Sequence, residues 1–417
     1  MRLFLLVFVL NVPNLSLLSQ DDSLSEKYWS SRRRLLNKFI FQGIGPGRGY
    51  AAAAIAKERA AKVLYYGDNT TYHGWYLSVL ATEFALLQRC HSDSSKTLHE
   101  LYNALFAVHR LDSMAEAYFI DRNGAHGRPA VNGFFIRDDA DYETIKNLGW
   151  EGRLMSDYEL GCNLHPGEKG LRDNEMSQDQ AIHLLLGLRL VHHLLDDDIK
   201  FQGRILKKWA AEMAIRIIDH IASRRWIIYN PVTNKAVFRG HDARLFSWAF
   251  VKTRLKFAPE GPVTKPIWYS SILWPWLRTT LIPIYFNRAM IMTLGTISNA
   301  YGSSKTTRRF LCANAKLWKK EIYPLIHEIL EPDAGRLCIP ESKIKEMLMN
   351  ADSTAFRSFG SYGWNTTNRW LASAKTYKSY DGFFKEKEVS GLDFMLLHNV
   401  YRLLYKSPTV FNRPKNL

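Results

Sequence analysis

Apolar residues in this chain recur at helical spacing, and the segments they mark fall into two kinds. From Tyr72 to Arg89, the residues Trp75, Leu77, Val79, Leu80, Phe84, Leu86 and Leu87 lie nearly all round a helix, the pattern of a helix buried on every side. The next segment, with Ser94 or Ser95 as cap, carries Leu98, Leu101, Leu105, Val108 and Leu111 every three or four positions, which predicts one buried stripe and one wet face. The pair recurs, since Ser177 opens a mostly apolar helix through Leu184, Leu185, Leu188 and Val191, and Phe201 to Ile221 follows with more charge. Further apolar segments run from Ala243 to Val251, Ile284 to Ala300 and Leu392 to Leu404, with a charged helix expected over Thr307 to Glu331.

Alternation of two-sided with one-sided apolar helices is what a ring of helical hairpins requires, because its inner helices are covered on both sides and its outer helices on one. The expected fold is therefore all-α, an (α/α)6-like toroid in which six hairpins of roughly 60 to 65 residues fill the chain. An irregular helical domain or a short α-solenoid satisfies the same pattern. Residues 120–176 break it, being rich in Gly, Asp, Asn and Pro, with a turn and short strand expected over Asn132 to Arg137. So long a connection in a compact domain is usually functional, and Phe134, Phe135, Trp150 and Tyr158 argue against disorder. It reads as a long irregular loop on the active face.

The N-terminal residues modify the picture. Arg2 precedes an unbroken apolar run from Leu3 to Leu10 that ends at Asn11, Pro13 and Asn14, too short for a span and right for a signal peptide. Ser16 and Ser19 offer cleavage positions, so residues 1–20 are read as signal and 21–417 as a single secreted domain, extracellular or periplasmic. No membrane span is expected, because Trp274 to Met292 is broken by Pro275, Arg278, Pro283 and Arg288. Cys90, Cys162, Cys312 and Cys338 allow three pairings or four buried thiols, with Cys312 and Cys338 the most local pair. Sequons stand at Asn69 and Asn365.

A formal charge of +16 attracts anions such as acidic polysaccharide, nucleic acid or acidic lipid. Its knots, Arg32 to Arg34, Arg204 with Lys207 and Lys208, and Arg308 with Arg309, read as solvated helix faces. No nucleic-acid fold motif accompanies them, so no specific nucleic-acid partner is expected. The glycine run Gly43 to Gly49 contains Pro46 and lacks the Lys-Ser/Thr ending of a phosphate loop. Asp196, Asp197 and Asp198, after His192 and His193, point in different directions around a helix end. No metal and no cofactor are expected.

Three stretches, Tyr72-His73-Gly74-Trp75-Tyr76-Leu77, Ser177-Gln178-Asp179-Gln180 followed by Ala181 to Leu188, and Gly391 to Leu397, resemble the inner-helix starts of six-hairpin glycosidase-like (α/α)6 toroids. The resemblance is one of layout, over about residues 60–405, and includes no diagnostic catalytic signature. It implies a cleft at one end of the ring, catalytic acids on loops or at inner-helix N-termini, and sugar-stacking aromatics. Members include glycoside hydrolases, unsaturated glucuronyl hydrolases and polysaccharide lyases.

The candidate chemistry follows from where acids stand. Asp179 lies two residues after Ser177, where the helix dipole favours the ionised form. It is a candidate general base or hydroxyl anchor, with Asp138 or Asp139 as general acid, and first-turn helix stabilisation competes with that role. Glu83 sits among apolar residues, so it needs a partner, most simply an Arg or a His, or else serves as a cleft acid. His73, Trp75 and Gln180 stand at inner-helix starts facing the expected cleft, and Trp75 is suited to stack on a sugar or to pack. His241, beside Asp242, and Tyr362 are candidate bases for β-elimination, with Arg137 and Arg239 to neutralise a uronate. Tyr362-Gly363-Trp364-Asn365 is an aromatic turn suited to sugar contact. The expected activity is hydrolysis of an acidic polysaccharide or oligosaccharide, uronate-bearing or sulfated. The alternatives are a polysaccharide lyase and a non-enzymatic glycan- or anion-binding protein.

Overall fold

The two-sided apolar segments become helices that bury almost every side chain. In a computed structural model of the chain, the residues described are 15–41, 50–51, 57–58, 63–64, 69–137, 175–271, 285–318, 320–332, 337–351, 387–388, 390–405, 411–414 and 416–417. The helices are α1 (Leu15–Lys38), α2 (Asn69–Arg89), α3 (Ser95–Ser113), α4 (Gln178–Leu194), α5 (Leu206–Ser223) and α6 (Ser247–Phe257). They continue with α7 (Tyr285–Ser298), α8 (Ser304–Trp318), α9 (Ile322–Leu330), α10 (Glu341–Asn350) and α11 (Leu392–Tyr405). The strands are two-residue pieces in short antiparallel ladders, so the class is all-α. Every residue from Asn69 to Leu87 of α2 is buried, as is every residue from Gln180 to Val191 of α4. By contrast α3 and α5 bury one stripe each, Leu101, Leu105, Val108 and Leu111 on the first and Trp209, Met213, Ile217 and Ile221 on the second.

The closest crossing joins α2 to α4. A Cβ added at Gly74 would lie 2.1 Å from the His183 carbonyl oxygen, and one at Gly187 would lie 2.4 Å from the Gly74 oxygen and 2.7 Å from Leu77 Cβ. Only glycine lets two backbones meet this closely. Gly74 faces His183 while Leu77 faces Gly187, so the two helices run parallel.

Other contacts advance in the same sense. Asn399 of α11 donates to Val79 O (3.3 Å) and Arg89 to Leu403 O (3.0 Å). Thr293 of α7 stands level with His183 (3.5 Å). On α9, Tyr323 O accepts from Thr296 (3.4 Å) and His327 bonds Asn299 (2.8 Å). With α9 packed on α11, the helices α2, α4, α7, α9 and α11 form a closed circuit of neighbours. The covering helices α1 and α3 run the opposite way: Thr97 meets Glu83 while Ala104 meets His73, and Ser25 meets Arg402 while Tyr28 meets His398.

Several sequence expectations are corrected. The helix expected over Thr307 to Glu331 is two, Ser304–Trp318 and Ile322–Leu330, because Pro324 has no N–H to donate and fits only a first turn. The second piece, α9, buries Ile322, Tyr323, Leu325 and Ile326, and so is an inner helix. The helix expected from Phe201 begins at Leu206, after a hairpin whose Gln202 and Gly203 have φ of 48° and 79°, the type I′ pattern. The α1 helix was not marked by periodicity and crosses the expected cleavage point. Neither Ser94 nor Ser177 caps through its side chain. Phe134 and Phe135, expected on an active-face loop, are core residues.

Cys312 and Cys338 form a disulfide, Cys90 is a free thiol, and Cys162 lies outside the described residues. Asn69 of the first sequon is fully buried, and Asn365 lies outside the described residues. Among the described residues no helix is long and apolar enough to cross a membrane.

Replacing Gly74 by Ala places a methyl group inside the backbone of α4. Neither helix can yield without separating, so the expected loss is about 3 kcal/mol, the upper end of ordinary overpacking. Urea unfolding of Gly74→Ala against wild type measures it, and an unchanged midpoint contradicts the crossing.

Candidate functional site

From the Gly74 crossing toward the helix starts, parallel register brings Thr70 and Thr71 of α2 to the level of Gln180 of α4, on the stripes that carry Gly74 and Leu184. Gln180 is fully buried, and neither its Nε2 nor its Oε1 has a partner in the protein. The hydroxyls of Thr70 and Thr71, Asn69 Oδ1, Gln178 Oε1 and Trp75 Nε1 are likewise enclosed and unpartnered. Each such group costs about 1–3 kcal/mol, and a native structure that gathers them in one place calls for a reason. The same end presents the first-turn backbone N–H groups of parallel helices, a field that favours anions.

Below this polar layer the interior is closed. Trp75 meets Tyr323 edge to face at 6.4 Å. Thr293 lies 3.3 Å from the Tyr323 hydroxyl. His183 Nδ1 donates to Asp179 O (2.7 Å), which aims the other ring nitrogen at Thr293. An isolated bridge between Ile136 and Glu175 returns the chain to the top of α4. There Arg137 donates to Glu175 O (2.9 Å) and accepts at its own carbonyl from Asn69 (3.4 Å).

Two acids occupy first turns at this end. Asp179 is half-buried, and its Oδ1 accepts the Ser177 hydroxyl. Asp393 of α11 accepts from the Phe394 N–H through Oδ1 (2.9 Å), while its Oδ2 is enclosed and unpartnered. Burial pushes the Asp393 carboxyl well above the usual carboxylate range, outweighing the backbone N–H groups and the charges of Lys320 and Arg34. Asp393 thus lacks a donor at Oδ2, where Asp179 has a hydroxyl partner. Asp393 is not among the sequence candidates, although an acid in the first turn of an apolar helix, the signal that marks Asp179, is present in Leu392-Asp393-Phe394.

The remaining sequence candidates are dispersed. Glu83 is fully buried and has the Arg partner its burial demands: Oε2 accepts from Arg32 Nε (2.6 Å) and from Tyr28, and Oε1 from Thr97 (2.7 Å). Arg32 also reaches Glu100 (2.8 Å), and Arg413 reaches both acids. Two of the basic residues read as solvated are therefore buried, Arg32 here and Arg308 in a pair with Glu328. His73 faces the covering helix, donating through Nε2 to Ala104 O (2.8 Å), and not the helix starts. His241 is exposed on a 3-10 turn, Gly240–Phe246. Asp138, Asp139, Tyr362 and Trp364 lie outside the described residues. Among the described residues no group of three or more His, Cys, Asp or Glu is placed to hold a metal ion. Comparison of the chain with protein-family models, curated proteins and solved structures finds no match.

Glu83→Gln leaves Arg32 buried beside a neutral amide, so a loss of about 3–5 kcal/mol is expected. Denaturant titration of the variant checks this, and a loss below about 1 kcal/mol refutes the assigned pairing.

Burial lowers seven imidazoles from 6.5: His73, His192, His220 and His327 to about 4, His398 to about 3, and His109 and His193 in the same direction. As pH falls from about 6.5 toward 4, the unfolded chain binds protons that the folded chain does not, so stability declines through that window. Asp393, Asp112 and Glu116, whose carboxyls burial raises, act in the opposite sense, three groups against seven. Urea midpoints should fall between pH 6.5 and 4.5 while ring nitrogen NMR shifts stay neutral at pH 5.5. Charged rings at that pH contradict the assignment.

Proposed function

We propose that this chain is a toroid of helical hairpins that hydrolyses an acidic glycan at the N-terminal end of its inner helices. The observation that carries the reading is the layer of enclosed, unpartnered polar groups, Asn69, Thr70, Thr71, Gln178 and Gln180, beside two first-turn acids in unlike surroundings. The closed circuit of parallel helices supports the toroid. The expected signal segment and the Cys312–Cys338 disulfide support secretion. The charge of +16 supports an anionic substrate.

In this reading the amide and hydroxyl side chains take sugar hydroxyls. Asp393, protonated, gives its proton to the glycosidic oxygen as the bond to the anomeric carbon breaks. Asp179 takes a proton from the water that attacks that carbon. This chemistry needs one carboxyl that gives a proton and one that takes one.

A product screen on acidic oligosaccharides tests the reading. Asp393→Asn and Asp179→Asn should each lower turnover by roughly 10²- to 10⁴-fold with thermal unfolding unchanged. Full turnover in both variants ends the proposed pair. Unsaturated uronate products identify a lyase instead, and binding without turnover identifies a glycan-binding protein.

A further inference from the structure

Away from the helix starts, a groove of about 440 Å³ opens between the last turns of α5 and the hairpin Tyr229–Asn230 with Lys235–Ala236. That volume is within the range of small-ligand sites, roughly 300–1,000 Å³. Its walls divide by chemistry. Val131, Pro231 and the Tyr229 ring form an apolar side, and Arg216, Arg224, Ser223 and Asn132 a polar one.

The charges in the groove do not cancel. Asp219 is held by Arg254 through two contacts (2.7 and 3.3 Å). Arg216 Nε pairs with Asp112 (3.2 Å), but Asp112 also receives the Asn132 and Gly133 N–H groups (3.1 and 2.8 Å), and Arg216 Nη2 remains unpartnered. His220 donates Nε2–H to Tyr229 O (3.1 Å) and is kept neutral by burial. Arg224 is exposed, its guanidinium over the Tyr229 ring at 5.8 Å from the ring centre. An exposed guanidinium beside an aromatic ring and an apolar wall suits an anion carried on a ring with an apolar face.

We infer that this groove is a second binding site, taking a carboxylate-bearing sugar ring against Tyr229 and the apolar wall with its carboxylate on Arg224, while Arg216 adds positive charge from the groove lining. The site rests on the groove alone and stands whether or not the helix-end acids are catalytic. Beneath it Asn132 binds Glu116 (2.6 Å) as well as Asp112, so the loop that forms one wall is fixed by two buried acids on and just beyond α3.

Microcalorimetry of the full chain with glucuronate, against glucose and acetate, tests the site. Arg224→Ala and Tyr229→Leu should each weaken glucuronate by about tenfold or more, the worth of one charge-assisted or stacking contact. Thermal unfolding should be unchanged, and Asp393→Asn should bind as wild type does. Glucuronate binding that survives both groove variants, or that only Asp393→Asn removes, overturns the inference. Equal binding of glucose or of acetate also overturns it, since the first dispenses with the anion and the second with the ring.

Discussion

The structure depends on the contact between α2 and α4 through Gly74 and Gly187. Parallel neighbours align their dipoles unfavourably and need a return segment between them, so they adhere only if burial is extensive. Two glycines bring the axes close enough for Leu77 to meet Gly187 directly and for Gly74 to meet the backbone of His183 and Leu184. The return is made by α3, whose single apolar stripe covers α2 while its other face stays wet. The same register carries Thr70, Thr71 and Gln180 to one level, so the polar layer at the helix starts is a consequence of the crossing.

A second constraint closes the chain on itself. Arg32 of α1, Glu83 of α2, Glu100 of α3 and Arg413 of the C-terminal tail form one buried network, with Tyr28, Tyr76 and Thr97 supplying hydroxyls. Burial by itself would raise the Glu100 carboxyl, but Arg32 and Arg413 hold it below the ordinary range. Phe411 packs on Trp29 (5.0 Å), which fastens the tail to α1. A buried carboxylate is tolerated here because both oxygens of Glu83 have donors, Tyr28 and Arg32 of α1 at Oε2 and Thr97 of α3 at Oε1. That is why the site of Glu83 is structural in its surroundings although its sequence context suits a cleft acid.

Much of the architecture is legible in the chain, for reasons that also explain what is not. Two-sided apolar patterns located α2, α4 and α11 to within a few residues because a helix buried on both sides has no other composition open to it. The demand for an Arg or His beside Glu83 followed from the cost of burying charge. Arg32 itself was misread, since three consecutive arginines look solvated until an acid fifty-one positions away is folded against one of them. The break before α9 was masked by charge on α8 running into apolar residues, with Pro324 the signal that was present and unused. Of the helix-end site, Asp179 and Gln180 were legible, whereas Asp393 differs from a capping acid only in its tertiary enclosure.

That enclosure sets Asp393 apart from an ordinary first-turn acid. A helix N-terminus favours a carboxylate by about 0.3–1 kcal/mol, rarely as much as ~2, while full burial shifts a carboxyl by as much as ~3–5 pK units in the other direction. One unit corresponds to about 1.4 kcal/mol, so desolvation wins wherever the second oxygen lacks a donor. Asp393 meets that condition at Oδ2, although its Oδ1 has the Phe394 N–H. Both residues are partly exposed overall, but Asp179 receives the Ser177 hydroxyl whereas Asp393 Oδ2 is enclosed. A first-turn carboxyl therefore needs no change of backbone geometry to be pushed up like that of Asp393, because a missing donor at one oxygen is enough.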